Sequence, residues 1–122
     1  MLTRSFTGSA GNRLVASIRG EGPRSALLLH GGGQTRHAWD GTGRALAHAG
    51  WMAVAIDQRG HGDSDRIETG HYGFRDFGAD AACVAREIAR TSGRKPVAVG
   101  ASLGGLASLL ALGREPVFSA LI

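Results

Sequence analysis

With 122 residues, 14 Lys and Arg against 10 Asp and Glu, and 43% hydrophobic residues, the chain can build one modest globular core. Its net charge of +4 comes from basic residues that stand singly among acids; with no basic run or stripe, a nucleic-acid partner is excluded. No apolar run reaches membrane-spanning length, the start Met-Leu-Thr-Arg-Ser lacks an apolar leader core, and the lone Cys83 permits no disulfide framework, so a cytoplasmic protein without a membrane partner is expected.

Residues 3–7 and 13–19 alternate weakly around a Gly- and Asn-containing break and predict an amino-terminal β-hairpin. Gly20 to Pro23 reads as a turn. Ser25 to His30 contains Ala26-Leu27-Leu28-Leu29, a continuous apolar run suited to a central strand buried on both faces. It stops at His30-Gly31-Gly32-Gly33. Residues 38–49 predict a helix carrying Trp39 and Leu46, with Gly50 as its stop. Trp51 to Ile56 predicts a second buried strand, which ends at Asp57 and opens into a polar loop running to about Tyr72.

The longest predicted helix is 74–91. Phe77, Ala81, Val84 and Ile88 recur at helical spacing, and Phe74 is assigned to the core with them. Cys83 is expected to be a small buried packing residue in this helix. A strand at 96–99 follows, then Gly100-Ala101-Ser102-Leu103-Gly104, then an apolar helix to about Gly113. A last strand is predicted from Val117 to Ile122.

After the hairpin the order is strand, helix, strand, helix, strand, helix, strand, which predicts an α/β fold with a mostly parallel sheet and helices on both faces. Ligands of such sheets bind at the carboxyl ends of the strands. His30 to Gly33, Asp57 and Ser102 all stand at those ends. The stretch 100–104 is G-x-S-x-G between a strand and a helix, the setting of a nucleophile elbow. A serine on a sharp turn there is lifted above the sheet, and the first N–H groups of the helix face whatever it attacks. The bare pattern is a weak signal in a chain with 20 glycines; the flanking strand and helix give it its weight.

The strand ending in His30-Gly31-Gly32-Gly33, then Asp57-Gln58-Arg59-Gly60-His61-Gly62-Asp63-Ser64, then Gly100 to Gly105 together resemble the α/β-hydrolase family over essentially the whole chain. The resemblance implies strands 1 to 6 of a sheet ordered 1-2-4-3-5-6-7-8. Residues 1–122 are then a single incomplete domain, the amino-terminal half, truncated before strands 7 and 8 and the lid. It implies Ser102 as nucleophile and the N–H groups of Gly32 and Leu103 as oxyanion hole. His30, Gly31, Gly33, Gly100 and Gly104 support the elbow and loop. Asp57 to Ser64 is implied to be structural, with Arg59 and Asp63 bracing the loop. Epoxide hydrolases of the family carry Asp where Ser102 stands, so Ser102 points to the esterase-like branch and a small acyl substrate, with no metal or cofactor.

The triad of this fold runs Ser, acid, His in chain order. All five histidines precede Ser102, so neither the triad acid nor its histidine is identified. With strand order 4-3-5, Asp57, His30 and Ser102 would end adjacent strands about 4.8 Å apart, a geometric rival for the triad. The resemblance assigns His30 to loop support instead. A non-catalytic α/β binding module is the alternative reading; a phosphate-binding flavodoxin-like domain fits less well, since the glycine loops lack P-loop spacing.

Overall fold

The computed structural model describes residues 1–122 and contains a six-stranded sheet. The strands are β1 (Leu2–Thr7), β2 (Arg13–Arg19), β3 (Ser25–Leu29), β4 (Met52–Ile56), β5 (Val97–Gly100) and β6 (Ala120–Leu121), ordered β1-β2-β4-β3-β5-β6. β1 and β2 form the expected antiparallel hairpin, and β2 also runs antiparallel to β4. β4, β3, β5 and β6 are mutually parallel. No helix is long and apolar enough to cross a membrane.

The continuous apolar run of β3 makes it the centre of both faces. Leu27 and Leu29 enter the larger core, against Val84, Ala85 and Ile88 of α2 (Phe74–Ser92) and Ala111 of α3 (Leu103–Arg114). Ala26 and Leu28 face the opposite way, into a smaller cluster bordered by Trp39 and Leu46. Leu46 belongs to α1 (Asp40–His48), so α1 covers one face and α2 with α3 the other. This alternation with both faces buried is why Ala26 to Leu29 shows no polar position.

Several elements depart from expectation. The helix predicted over 38–49 divides into a 3₁₀ turn, Arg36–Trp39, and α1. The tighter turn starts at Thr35, whose hydroxyl accepts the His37 N–H. The last strand shrinks to Ala120–Leu121, because Val117 and Phe118 turn inward and join the larger core. Phe74, assigned to the core, is 59% exposed at the start of α2. Cys83 is only half-buried, its sulfur accepting from Arg86.

The apposition that aligns β3, β5 and α3 is at Gly104. A Cβ there would stand 2.0 Å from the Leu29 carbonyl oxygen, well inside contact distance with rigid backbone. Gly100 is equally closed, since its Cβ would meet Gly104 backbone at 2.5 Å. Gly113, near the end of the same helix, has nothing within 4 Å. Gly104→Ala should therefore destabilise the fold by about 3 kcal/mol or more through backbone displacement. Gly113→Ala should stabilise it by about 0.4–1 kcal/mol, by narrowing the unfolded ensemble. Chemical denaturation of the two variants checks this; equal and mild effects would contradict the close approach.

Candidate active site

Ser102 lies between β5 and α3 with φ 53° and ψ −113°, and it is the only non-glycine residue with positive φ. Such a backbone costs on the order of 1–3 kcal/mol and persists only where its surroundings hold it. The close contacts of Gly100 and Gly104 supply that hold. The side chain is exposed, and its hydroxyl makes no capping bond to the helix it precedes. Instead, the Ala101 carbonyl accepts the Gly104 N–H at 2.9 Å and the Ser102 carbonyl accepts the Leu106 N–H at 3.0 Å. The Leu103 N–H, first of the helix, has no partner in the chain.

The loop after β3 is pinned at nearly every backbone amide. Gly31 N–H donates to Gln34 Oε1 at 2.9 Å, Gln34 N–H returns to the Gly31 carbonyl at 3.1 Å, and Gly33 N–H donates to His61 Nε2 at 3.1 Å. Gly32 N–H alone among these has no partner in the chain. A Cβ on Gly32 would meet only the Leu103 side chain, at 3.9 Å, so the two amides without partners stand on neighbouring residues. That contact is an ordinary one: Gly32 is sterically open, and the bend of the loop falls on Gly33, at φ +76°. Gln34 holds the turn from both ends.

His30 is fully buried with both ring nitrogens committed. Nδ1 lies 2.7 Å from the Gly31 carbonyl and must be the protonated nitrogen there. Nε2 accepts the Gln58 N–H at 3.0 Å. The imidazole is thereby fixed neutral in one tautomer. Burial pushes its pKa down, with the Gly31 hydrogen bond opposing and the neighbouring His61 adding to the shift. With Nε2 occupied, His30 supports the loop and has no free nitrogen to offer Ser102. Asp57 is likewise committed. Its carboxylate accepts Arg36 N–H at 2.6 Å, Arg36 Nη1 at 2.5 Å and Asp63 N–H at 2.9 Å. The geometric rival triad is therefore three side chains with three different tasks.

Asp57 is the hub of the polar loop. Gly62, at φ +51°, passes so close that a Cβ would sit 2.4 Å from the Asp57 carboxyl group. Ser64 Oγ donates to the Asp57 carbonyl at 2.6 Å and accepts the Val15 N–H at 2.8 Å, tying the loop to β2. Asp63 and Arg59 brace the loop as expected, each through a partner that sequence reading missed. Asp63 pairs with buried Arg36, which also donates to Ser17 Oγ. Arg59, 1% exposed, forms a two-point pair with Asp80 of α2, Nε to Oδ2 at 2.7 Å and Nη2 to Oδ1 at 2.8 Å. Asp80 carried a usable signal: it lies three residues after Phe77 and four before Val84, on the buried stripe of α2, where a carboxylate requires a cation. Arg36 gave none. A cavity of about 470 Å³ lined by Arg24, Ser25, Trp51, Arg94, Lys95, Val97 and Ser119 opens at the opposite, amino-terminal ends of β3 to β6 and shares no residue with this site.

The alpha/beta hydrolase fold family matches residues 27–118, and the chain belongs to that family. An esterase of Mycobacterium tuberculosis is 37% identical over 97 residues, which cover 78% of this chain and 30% of the esterase. A non-heme haloperoxidase of Rhodococcus erythropolis is 34% identical over 99 residues, 81% of this chain and 34% of the haloperoxidase. Among solved structures, an epoxide hydrolase from an endophytic Streptomyces superposes with a TM-score of 0.82 at 32% identity, covering 98% of this chain and 35% of that one. An epoxide hydrolase from Vigna radiata gives 0.86 at 25% identity, covering 98% and 38%. The chain thus spans about a third of the length of the curated relatives it matches.

The neutral His30 links folding to pH. Its folded pKa is depressed below the ordinary 6.5, so the unfolded chain binds the extra proton first. The stabilisation is complete above about pH 6.5 and is lost as pH falls from there toward the folded value. Denaturant midpoints measured between pH 8 and pH 5 should fall on the acid side, and His30→Asn should flatten that fall while lowering stability throughout. An unchanged acid slope in the variant would contradict the assignment.

Proposed function

We propose that this chain is the amino-terminal part of a single serine hydrolase domain that cleaves an ester or a similar acyl bond of a small molecule. The observation that carries the reading is the strained, exposed Ser102 beside two backbone N–H groups without partners, those of Gly32 and Leu103. Ser102 Oγ attacks the acyl carbon, and the carbonyl π electrons move onto oxygen. The Gly32 and Leu103 amides donate to that oxyanion. The Oγ proton passes to a general base, which returns it to the leaving alcohol as the ester C–O bond breaks; water then attacks the acyl-serine by the same route, the acid departs and Ser102 regains its proton.

No histidine of these residues is hydrogen-bonded to Ser102: His30 and His61 are engaged in loop hydrogen bonds, and His37 and His71 bond Asp40 and Thr69. The relatives' greater length leaves room for the base, and for its acid, in the rest of the family fold. Serine at position 102 favours acyl transfer over epoxide opening, for which the resemblance implies Asp there. The free, half-buried Cys83 fits a reducing cytoplasm.

A phosphonylating serine probe should label a form of the protein carrying the whole hydrolase fold, and Ser102→Ala should abolish the labelling with its far-UV circular dichroism unchanged. Residues 1–122 alone should hydrolyse an aryl ester no faster than their own Ser102→Ala variant. Undiminished labelling of Ser102→Ala would remove Ser102 from the mechanism.

A further inference from the structure

Two loops meet beside the proposed oxyanion hole, residues 30–34 after β3 and 57–64 after β4, and two histidines stitch them reciprocally. His30 of the first loop accepts the Gln58 N–H of the second at 3.0 Å. His61 of the second accepts the Gly33 N–H of the first at 3.1 Å. Each ring is aimed by its other nitrogen. His30 Nδ1 donates to the Gly31 carbonyl at 2.7 Å, and His61 Nδ1 donates to the Arg59 carbonyl at 2.9 Å. The rings are 4.9 Å apart, and His61 also packs edge-on against Phe77 of α2, centroids 6.1 Å apart. Arg59, whose carbonyl aims His61, is itself anchored to Asp80 of α2.

The two stitches differ in what they hold. The Gln58 stitch is duplicated, since Gln58 Nε2 also donates to the His30 carbonyl at 2.7 Å. The Gly33 amide has His61 as its sole partner. Gly33 is exposed and takes the left-handed turn, so no packing replaces that bond. It fixes the peptide immediately following Gly32. The Gly32 N–H is held from one side by the bonds that His30 Nδ1 and the Gln34 N–H donate to the Gly31 carbonyl, and from the other by His61.

We infer that His61 is a positioning residue for the oxyanion hole, holding the Gly32 N–H in line through its hydrogen bond to the Gly33 amide. The inference rests on the hydrolase reading above for its catalytic consequence, and on geometry alone for the bond. A donor displaced by about 1 Å loses much of its hold on a developing oxyanion, and turnover falls about 10- to 100-fold while substrate binding is little changed.

The bond is tested first in the 122-residue chain by imidazole and amide nitrogen NMR. The expected result is a neutral His61 protonated at Nδ1. His61→Phe should speed Gly33 amide exchange about ten-fold or more and leave the Asp57 amide, which donates to the Val15 carbonyl, unchanged. His61→Gln, which keeps an acceptor at the end of the side chain, should restore the protection. Protonation at Nε2, or Gly33 exchange indifferent to His61→Phe, overturns the inference. Should His61→Phe fail to fold, the tautomer in the unsubstituted chain and the His61→Gln variant decide.

The consequence is tested in a form carrying the whole hydrolase fold, by aryl ester kinetics. His61→Phe should lower kcat about 10- to 100-fold with KM within about two-fold, and His61→Gln should recover most of it. A rise in KM with kcat unmoved overturns the positioning role. Full turnover in Ser102→Ala, run alongside, would instead defeat the hydrolase reading and leave the NMR result standing.

Discussion

The contact on which the site depends is the absence of a side chain at Gly104. With the Leu29 carbonyl occupying the space a Cβ would need, the first turn of α3 seats directly against the end of β3. The turn between β5 and α3 is left no room to relax, and the strain falls on Ser102, at φ 53°. The same seating brings the first free amide of α3, at Leu103, beside Gly32 in the loop that follows β3. One steric constraint thus sets the serine's exposure, its backbone strain and the pairing of the two amides.

A second layer keeps the loops from drifting. Buried charges are costly unless paired, and here each is paired across the chain: Arg36 with Asp57 and Asp63, Arg59 with Asp80. Asp57 ties the start of the polar loop to the 3₁₀ turn before α1, and Asp80 ties the same loop to α2. Gly62 and Ser64 read as a motif because the backbone wraps closely round the Asp57 carboxylate and Ser64 then links it to β2. No hydrogen bond joins any of these groups to Ser102, since Asp57, Arg36, Arg59 and Asp80 bond to one another and to the loops. They account for the rigidity of the platform, and the chemistry proposed for it needs one further group.

Much of the architecture was legible in the sequence because its causes are local. Ala26 to Leu29 suit a strand buried on both faces, and the glycines around Ser102 mark the elbow between strand and helix. The sheet order, with β3 between β4 and β5, was implied by resemblance and is what the structure contains. What stayed hidden was long-range. Arg36 meets Asp57, and Arg59 meets Asp80, across 21 residues of chain in each case; the helical stripe marks Asp80 as needing a cation but does not single out Arg59, and nothing marks Arg36. The inward turn of Val117 and Phe118 was equally invisible, since an apolar run looks the same whether it extends as a strand or folds into the core. Phe74 failed for the converse reason: it fits the helical spacing, but it sits at the open end of α2.

The central claim is that Ser102, Gly32 and Leu103 form one reaction centre. A crystal structure of a form carrying the whole hydrolase fold, soaked with an alkyl or aryl boronic acid, tests it directly. The account predicts a tetrahedral boron bonded to Ser102 Oγ, with one boronate oxygen about 2.7–3.1 Å from both the Gly32 and Leu103 nitrogens. A boronate on another residue, or one on Ser102 whose oxygens touch neither amide, would contradict it.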